Sequence, residues 1–518
     1  MSKWIYCKHI GIAVMFFCSL KSFGQDASFI PPKDEILYLI GKYKDITPDY
    51  LRGVDSSVWN RKVERLLEKI DSSKSRMEYI YALRFFSSLL NDRHAAPGGA
   101  FPSQGFYNRN KFTNENDIIF PVTVKVFRDG RTFVVKDYSG NIPSDSELLK
   151  VNGLSVIGIS LLLEDLYHAE KHYSLPELNY LEQPDVRAWC ILPTHLFMEG
   201  INEPFEVEYC LFGDSVVNHV VLPGMFRADI FREFKKSGDK RKIRKMSAFS
   251  KIPIEYVTIN DSIALLDINV FLGRNSLSVP FVNFNSRYKR LLRRAMKSID
   301  NYNYKHLIID VRANPGGYLG NILNTLDYLT TDTIRKYAWF KVSSESKEMA
   351  APVLRDTYKL IYGNDKREEQ NESIRIFQNM PEGSLFRADT LLPLLYVPPH
   401  KLKHRYQGEV YVLSDALSYS ASILFCTWIQ QNKTGMLVGE SPGGFINVRG
   451  GMTAQVKLQG FNYQYMNVPY SVSSCFPDLE AGNNYLTMDY EIIPSFDEWF
   501  GSEDVVLKRL ITWIVEGR

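Results

Sequence analysis

The chain has 518 residues, and its 62 lysines and arginines nearly balance its 59 aspartates and glutamates, which gives a formal net charge of +3. This length exceeds what one hydrophobic core ordinarily organises, so several domains are expected. The near-neutral charge and the hydrophobic content of 45% argue against an intrinsically disordered chain and against a generally basic, nucleic-acid-binding protein.

The first 24 residues have the pattern of a secretory signal peptide. Lys3, Lys8 and His9 precede an apolar run at residues 10–20, and residues 22–24 (Ser-Phe-Gly) offer a small-residue cleavage site. The run is too short to span a bilayer comfortably. We therefore expect an exported protein of the periplasm or cell envelope, or a secreted one, without stable membrane insertion after cleavage. A buried N-terminal helix is the alternative interpretation.

Removal of residues 1–24 would take away three lysines and no acids, which lowers the formal net charge from +3 to 0. A neutral exported protein is a poor candidate for nucleic-acid binding. The remaining cysteines lack the C-x-x-C spacing typical of zinc sites. An oxidising compartment permits a disulfide between two of them, but the pairing stays open. These cysteines are Cys190, Cys210, Cys426 and Cys475.

Changes in periodicity divide the chain into segments of different character. Apolar residues recur at helical spacing through residues 36–90, strand-like runs separated by turn signals follow, and strands alternate with helices from about residue 254. A strongly basic stretch at residues 232–245 is typical of a solvated linker. The predicted segments are a signal peptide at 1–24, an N-terminal helical region with His94 at 25–110, a β-rich module at 115–225, a basic linker at 226–252 and an α/β core at 253–518.

Two serines compete as candidate nucleophiles, and Ser441 has the more familiar local sequence. It lies in a G-x-S-x-G pattern after a predicted strand, as does the nucleophile elbow of α/β-hydrolases. That elbow must open a helix and must be followed in the chain by a histidine. Residues 442–447 (P-G-G-F-I-N) are poor helix formers, and the last histidine is His404. We therefore interpret the match as coincidental.

Ser420 has a better setting, because it lies between a predicted strand at 410–413 and a predicted helix that starts at about residue 420. At a helix start the N–H of Ala421 lacks an intrahelical acceptor and can stabilise negative charge. A second buried strand, at 307–311, leads into a glycine turn at 314–317 (N-P-G-G), whose N–H groups could provide a second donor. A serine in such a cluster is otherwise most often a helix cap.

Taken together and in chain order, several motifs resemble those of the tail-specific (C-terminal processing) and tricorn-core superfamily of serine peptidases. Residues 307–317 (L-I-I-D-V-R-A-N-P-G-G) are similar to its strand with an R-x-N-x-G-G turn, and residues 438–444 (V-G-E-S-P-G-G) resemble its V-G-E-x-x-G-G turn. Four further segments of this chain are similar to features of the family. Residues 418–422 resemble the family's nucleophile segment, and residues 90–94 resemble the L-x-D-x-H segment of its histidine-using members. Residues 147–156 resemble the carboxylate-loop region of its PDZ-like domain, and residues 489–494 resemble the segment before its last helix.

This resemblance implies a ClpP/crotonase-like α/β core in which Ser420 is the nucleophile. Members that activate the serine with a lysine carry that lysine just after the V-G-E-x-x-G-G turn, where this chain has Phe445. The resemblance therefore implies the histidine-using branch, with His94 as the general base.

The resemblance also implies an oxyanion hole formed by the backbone N–H of Ala421 together with that of Gly316 or Gly317. Two positions depart from the family pattern. Ile423 stands where a glutamate is usual, and Arg93 stands where the tricorn type has a serine.

The acid that would orient His94 is not fixed by the motifs. Asp478, Glu480 and Asp489 are candidates, and the choice between them stays open.

These expectations describe an exported serine endopeptidase that hydrolyses peptide bonds of polypeptide substrates. The PDZ-like module would hold a peptide by strand addition, with its carboxylate in a loop nest. No metal and no organic cofactor is needed, no nucleic-acid partner is expected, and the oligomeric state stays open. The alternative is a catalytically inactive relative that binds peptides or an apolar ligand.

Overall fold

The computed structural model describes most of the α/β core and of the β-rich module, and part of the N-terminal region. The predicted signal peptide lies outside the described residues. Those residues are 33–52, 54–72, 86, 89–90, 92, 94–95, 118–127, 130–159, 192, 196, 201–236, 252–272, 286–332, 334–348, 367–387, 396–397, 402–449, 453–458, 464–479, 485–500 and 503–517.

Helices and strands are numbered in chain order within this described part. The helices are α1 (Lys33–Ile46), α2 (Ser56–Ser72), α3 (Arg227–Lys236), α4 (Ser286–Tyr302), α5 (Leu319–Leu326), α6 (Arg367–Asn379), α7 (Ala421–Gln431), α8 (Phe496–Phe500) and α9 (Val505–Val515). The strands are β1 (Ile118–Ile119), β2 (Val122–Val126), β3 (Thr132–Asp137), β4 (Glu147–Val151), β5 (Leu154–Ser155), β6 (Phe205–Cys210), β7 (Val217–Leu222), β8 (Met225–Phe226), β9 (Ile254–Thr258), β10 (Ile263–Ile268), β11 (His306–Asp310), β12 (Ile334–Arg335), β13 (Tyr337–Lys341), β14 (Leu385–Arg387), β15 (Tyr396–Val397), β16 (Glu409–Ser414), β17 (Met436–Gly439), β18 (Val448–Arg449), β19 (Thr453–Leu458), β20 (Gln464–Pro469), β21 (Ser471–Ser474) and β22 (Tyr490–Glu491).

A six-stranded sheet in the order β22-β17-β16-β11-β10-β9 forms the centre of the α/β core. Its pairs are parallel except for β9 with β10. The carboxyl ends of parallel strands lie at one edge, where open α/β sheets usually bind ligands. The chain segments that leave β11, β16 and β17 at this edge carry the glycine turn, Ser420 and Ser441, so the topology brings the predicted motifs together.

Helices cover both faces of this sheet, which explains why its strands are almost continuously apolar. Alternate residues of a strand point to opposite faces. Leu307 and Ile309 of β11 share a buried cluster with α4, α5 and α7, whereas Ile308 belongs to a cluster with Leu510 of α9. This two-sided burial fixes the register of β11 and therefore the position of the turn that follows it.

The β-rich module contains an antiparallel sheet in the order β2-β3-β4-β6-β7, with β5 paired to β4. The predicted turns follow from its sequence, since Asn152 and Gly153 both have positive φ between β4 and β5. The strand-like runs expected in this part of the chain form the antiparallel pairs β2–β3 and β6–β7. The resemblance of this module to a PDZ domain stays a prediction.

The N-terminal helices pack into the same hydrophobic cluster as the module and the strands beyond β12. Tyr43 of α1 and Phe340 of β13 are both members of it. The Thr47 hydroxyl donates to the Pro469 carbonyl oxygen at 2.6 Å, and the Tyr43 hydroxyl donates to that of Leu90 at 3.0 Å. These contacts hold the segment that carries His94 against the α/β core.

The mixed α/β fold with helical and β-rich additions is confirmed, whereas the segment boundaries stay predictions. One local difference concerns the predicted linker at 226–252, whose first part is the helix α3. Ile230 is buried in this helix, so one apolar contact organises a segment that composition alone assigns to solvent.

Two further features of the described residues concern membrane helices and cysteines. Among the described residues, no helix is both long and apolar enough to cross a membrane. Cys210, Cys426 and Cys475 are buried free thiols, and Cys190 lies outside the described residues. Export stays a prediction.

Candidate active site

Ser420 lies at the junction between the segment that follows β16 and the start of α7. Its backbone has φ 57° and ψ −114°, a conformation that a residue with a side chain rarely adopts. Residues held in such strained conformations are concentrated at functional sites, where the surrounding structure imposes them. The strain places Ser420 just before the first turn of α7, beside the N–H groups that have no intrahelical acceptor.

Hydrogen bonds join the serine loop to the glycine turn. The Asp415 carboxylate accepts from the Ala313 N–H at 2.8 Å, and the Ser418 hydroxyl donates to the Val311 carbonyl oxygen at 2.8 Å. The carbonyl oxygen of Asn314 accepts from the Tyr419 N–H at 2.9 Å. The two motifs, about 100 residues apart in sequence, therefore form one rigid unit.

His94 approaches this unit from the N-terminal region. Its Nε2 lies 3.0 Å from the Ser420 hydroxyl oxygen, within hydrogen-bond distance. His94 is buried, whereas Ser420 is partly exposed, so the imidazole is shielded and the hydroxyl stays accessible to a substrate. The structure thus brings together the two predicted residues that lie 326 positions apart.

Asp92 is the carboxylate that contacts this imidazole within the described residues. Its Oδ1 lies 3.3 Å from His94 Nδ1 and accepts from the His94 backbone N–H at 2.9 Å. A carboxylate can only accept, so it favours the imidazole tautomer with its proton on Nδ1. In that tautomer Nε2 carries a lone pair and can accept the Ser420 hydroxyl proton.

Tyr419 provides a second contact to the same imidazole. Its hydroxyl oxygen lies 3.0 Å from His94 Nδ1, and the two rings stack with centroids 4.9 Å apart and an interplanar angle of 29°. The residue next to the candidate nucleophile therefore fixes both the plane and the position of the candidate base.

Asp92 remains ionised although it is fully buried. Burial opposes the charged form, but the hydrogen bond with His94 and the charges of His94, Arg449 and Arg52 outweigh it, so the pKa of the Asp92 carboxyl lies below its usual value. Both arginines are themselves buried. Arg449 donates to the Tyr43 hydroxyl at 2.7 Å and to the Leu90 carbonyl oxygen at 3.3 Å, which holds its charge behind Asp92.

The glycine turn offers one N–H group that is not used internally. The Gly316 N–H donates to the Asn314 side-chain oxygen at 2.9 Å, so it is already occupied. Neither the Gly317 N–H nor the Ala421 N–H donates to any of the described residues. Of the two glycines that the motif left open, Gly317 is therefore the better candidate to complete an oxyanion hole with Ala421.

Replacing Gly316 by alanine is expected to lower kcat/KM by at least about 100-fold, because the added Cβ atom would displace the Ala421 N–H, and losing one oxyanion donor usually has an effect of this size. Gly316 has φ +100°, and a Cβ atom there would lie 2.7 Å from the Ala421 nitrogen and 2.9 Å from Ser420 Cβ. These are backbone-fixed atoms, so the catalytic unit itself would have to move. Gly140→Ala is the matched control, because Gly140 has φ +78° but no atom within 4 Å. Equal losses in the two variants would show that backbone strain alone is responsible.

Ser441, the competing serine, has a structural role. Its hydroxyl is buried and donates to the Leu486 carbonyl oxygen at 2.6 Å. No helix follows it through residue 449, and within the described residues no histidine contacts it. The α/β-hydrolase interpretation lacks both of the features that it requires.

Two departures from the family pattern have simple structural settings. Phe445 is buried, stacks on Tyr485 with centroids 4.7 Å apart, and lies under the Arg52 guanidinium at 4.3 Å. Ile423 is fully buried in the apolar layer between α7 and the sheet. An ionised glutamate at that position would need a partner in an apolar setting, so isoleucine suits the observed packing.

The three acids proposed from sequence lie in different settings. Asp489 Oδ2 accepts from the Leu437 N–H at 2.7 Å and so supports the pairing of β17 with β22. Asp478 is exposed, and Glu480 lies outside the described residues. Sequence reasoning missed Asp92 and Tyr419 as partners of His94. The signal for Asp92 was its spacing of two residues before His94.

Comparisons with solved structures support the fold. Mature CPAF complexed with lactacystin is 15% identical, covers 94% of this chain and 99% of its own, and has a TM-score of 0.59. A point mutant of CPAF is 15% identical, with coverages of 94% and 98% and a TM-score of 0.64. The photosystem II D1 C-terminal processing protease is 12% identical over 92% and 96%, but its TM-score of 0.38 is too low to support an argument. A comparison with curated proteins gives no match.

A serine at a strand–helix junction, a histidine within hydrogen-bond distance and a glycine turn beside them define a site of the serine-hydrolase class on an α/β fold. Residues 263–463 match the model of peptidase family S41. This match, which covers 201 of the 518 residues, confirms the resemblance to the tail-specific and tricorn-core superfamily for the central part of the α/β core. The match and the geometry of the site together support a serine peptidase.

Proposed function

We propose that this protein is an exported serine endopeptidase that cleaves peptide bonds of polypeptide substrates. The single observation that carries the proposal is the 3.0 Å approach of His94 Nε2 to the Ser420 hydroxyl oxygen. This contact pairs a nucleophile with its base in the geometry that serine acyl transfer requires.

Ser420 attacks the scissile carbonyl carbon while His94 Nε2 takes the hydroxyl proton. The N–H groups of Ala421 and Gly317 hold the oxyanion of the tetrahedral intermediate. Protonated His94 then gives its proton to the leaving amine, and Asp92 stabilises the imidazolium without taking a proton itself. Water, activated by the same imidazole, releases the acyl group and regenerates the serine. All these groups belong to the chain itself.

The β-rich module is proposed to present the substrate. An antiparallel sheet can bind an extended peptide by strand addition at an edge strand, which gives affinity through main-chain hydrogen bonds. Within the described part of the chain, β7 is such an edge strand. The edge strand β7 alternates exposed and partly buried residues over most of its length, as a strand with one solvated face does. The predicted signal peptide would carry the protein out of the cytoplasm.

A fluorophosphonate probe, which reacts covalently with activated serines, tests the proposal. We expect labelling of the folded protein and of Ser441→Ala, but not of Ser420→Ala. Ser441→Ala is a matched control because it removes another serine hydroxyl near the same sheet edge, one that is buried. Absence of labelling in folded wild-type protein would favour the inactive peptide-binding relative. Labelling that depends on Ser441 instead would favour an α/β-hydrolase esterase.

A further inference from the structure

The helix α4 has two faces of opposite character. Its inner face carries buried apolar residues that belong to the core cluster above the central sheet, among them Leu292 and Met296. Every exposed residue on its outer face between 289 and 297 is basic. We call this outer face the basic face; it consists of Lys289, Arg290, Arg293, Arg294 and Lys297.

The charges of the basic face are not neutralised within the described part of the chain. None of its five side chains forms an ion pair or a hydrogen bond with a described residue. The helix has one acid, Asp300, and its carboxylate already lies 2.7 Å from His404 Nδ1. By contrast, the exposed helix α2 alternates basic residues with Glu64, Glu68 and Asp71.

Helical geometry concentrates these charges further. At 3.6 residues and 5.4 Å per turn, the five positions fall within an arc of about 140° and along roughly 12 Å of the helix axis. Neighbouring charges along this face, three or four residues apart, have Cβ atoms about 5–6 Å apart. This spacing is shorter than the Debye length of about 8 Å at physiological ionic strength, so adjacent charges reinforce one another and form one patch. The mature chain is expected to be neutral overall. The basic face is therefore a local concentration of positive charge and does not simply reflect a high net charge of the protein.

We propose that the basic face binds the anionic phospholipid surface of a membrane, independently of the peptidase activity. Phosphate headgroups complement a row of lysines and arginines that have no ion-pair partner among the described residues, and each cation near such a surface adds to the attraction. Nucleic acid is a poorer fit. The basic face has no aromatic side chain on which bases could stack, and α4 lies flat on the sheet with its inner face buried, so it cannot enter a groove.

Co-sedimentation with vesicles tests this proposal. We expect the protein to bind vesicles of one third phosphatidylglycerol and two thirds phosphatidylcholine, to bind pure phosphatidylcholine vesicles much more weakly, and to be released by salt. The double variant Arg293→Glu and Arg294→Glu should reduce the affinity for the anionic vesicles by at least about tenfold, because it reverses the centre of the patch. All variants keep residues 1–24 in the same state, so any contribution of that segment is common to them.

The matched control is the double variant Arg61→Glu and Arg65→Glu on α2, which changes the net charge equally at exposed positions. It should bind within about twofold of wild type. An equal loss in both double variants would reduce the effect to net charge and overturn the proposal. The proposal would also be overturned if the folded α4 variant, with unchanged thermal melting, bound anionic vesicles as tightly as wild type. It would likewise be overturned if binding were lost only when Lys240 and Arg241, in the basic stretch at residues 232–245, were replaced by glutamate. Tighter binding to a short DNA duplex than to anionic vesicles would replace the lipid with nucleic acid.

Discussion

Ser420→Ala and His94→Ala are each expected to lower kcat by about 10⁶-fold, and the double variant is expected to lose no more than either single one. The reason is the single contact at 3.0 Å through which the hydroxyl proton must pass. Without Ser420 the site has no nucleophile, and without His94 no base accepts the proton of the Ser420 hydroxyl. The measurement is kcat for hydrolysis of a fluorescently labelled unfolded protein.

Two substitutions provide controls for this experiment. His404→Ala removes a histidine that pairs with Asp300 at 2.7 Å, away from the site, and Ser441→Ala removes a buried structural hydroxyl. Both should keep peptidase activity within about tenfold of wild type, and thermal melting should show that all variants are folded. A double variant whose loss is the product of the two single losses would contradict a shared proton-transfer unit.

The central part of the fold could be predicted because its sequence signals are local. The alternation of apolar strands and helices predicted β11, β16 and the start of α7 within one residue of their observed bounds. Helix α3 was missed, because it owes its place to the tertiary burial of Ile230 and because its composition is that of a solvated segment.

The site was predictable to the extent that its motifs occur in a characteristic order. Ser420, His94 and the glycine turn were all proposed from sequence, although no sequence pattern shows that His94 lies within hydrogen-bond distance of Ser420. Asp92 was overlooked as a partner, since an Asp-x-His sequence more often forms only a local turn. Here Asp92 both forms the local turn and contacts the imidazole, because its Oδ1 accepts from the backbone N–H of His94 and also lies 3.3 Å from His94 Nδ1.

Electrostatics of this kind are set by tertiary structure alone. Arg52 and Arg449 are separated by almost 400 residues, and their charges help to keep Asp92 ionised only because both are buried behind it. The choice between Gly316 and Gly317 likewise depended on a side chain, since Asn314 occupies one of the two N–H groups.

Asp92→Asn is expected to lower kcat by about 10⁴-fold while leaving substrate binding nearly unchanged. The asparagine amide can donate to His94 Nδ1, which would place the imidazole proton on Nε2 and remove the lone pair that Ser420 needs. The change also removes the buried negative charge that stabilises the imidazolium during the reaction. The measurement is kcat and KM of the folded variant, with fluorophosphonate labelling of Ser420 as a second readout that should slow in parallel.

Asp489→Asn is the matched control, because its amide oxygen can still accept from the Leu437 N–H that Asp489 binds at 2.7 Å. It should therefore retain activity within about tenfold of wild type. Glu480→Gln tests the remaining acid that the sequence proposed. If Glu480→Gln lost the greater part of kcat and Asp92→Asn did not, the acid that orients His94 would be Glu480, and the 3.3 Å contact of Asp92 would be a structural one. A loss confined to Asp92→Asn would identify the Asp-x-His segment as the source of both the base and the carboxylate that orients it, so that one short stretch of the N-terminal region activates a nucleophile on the core.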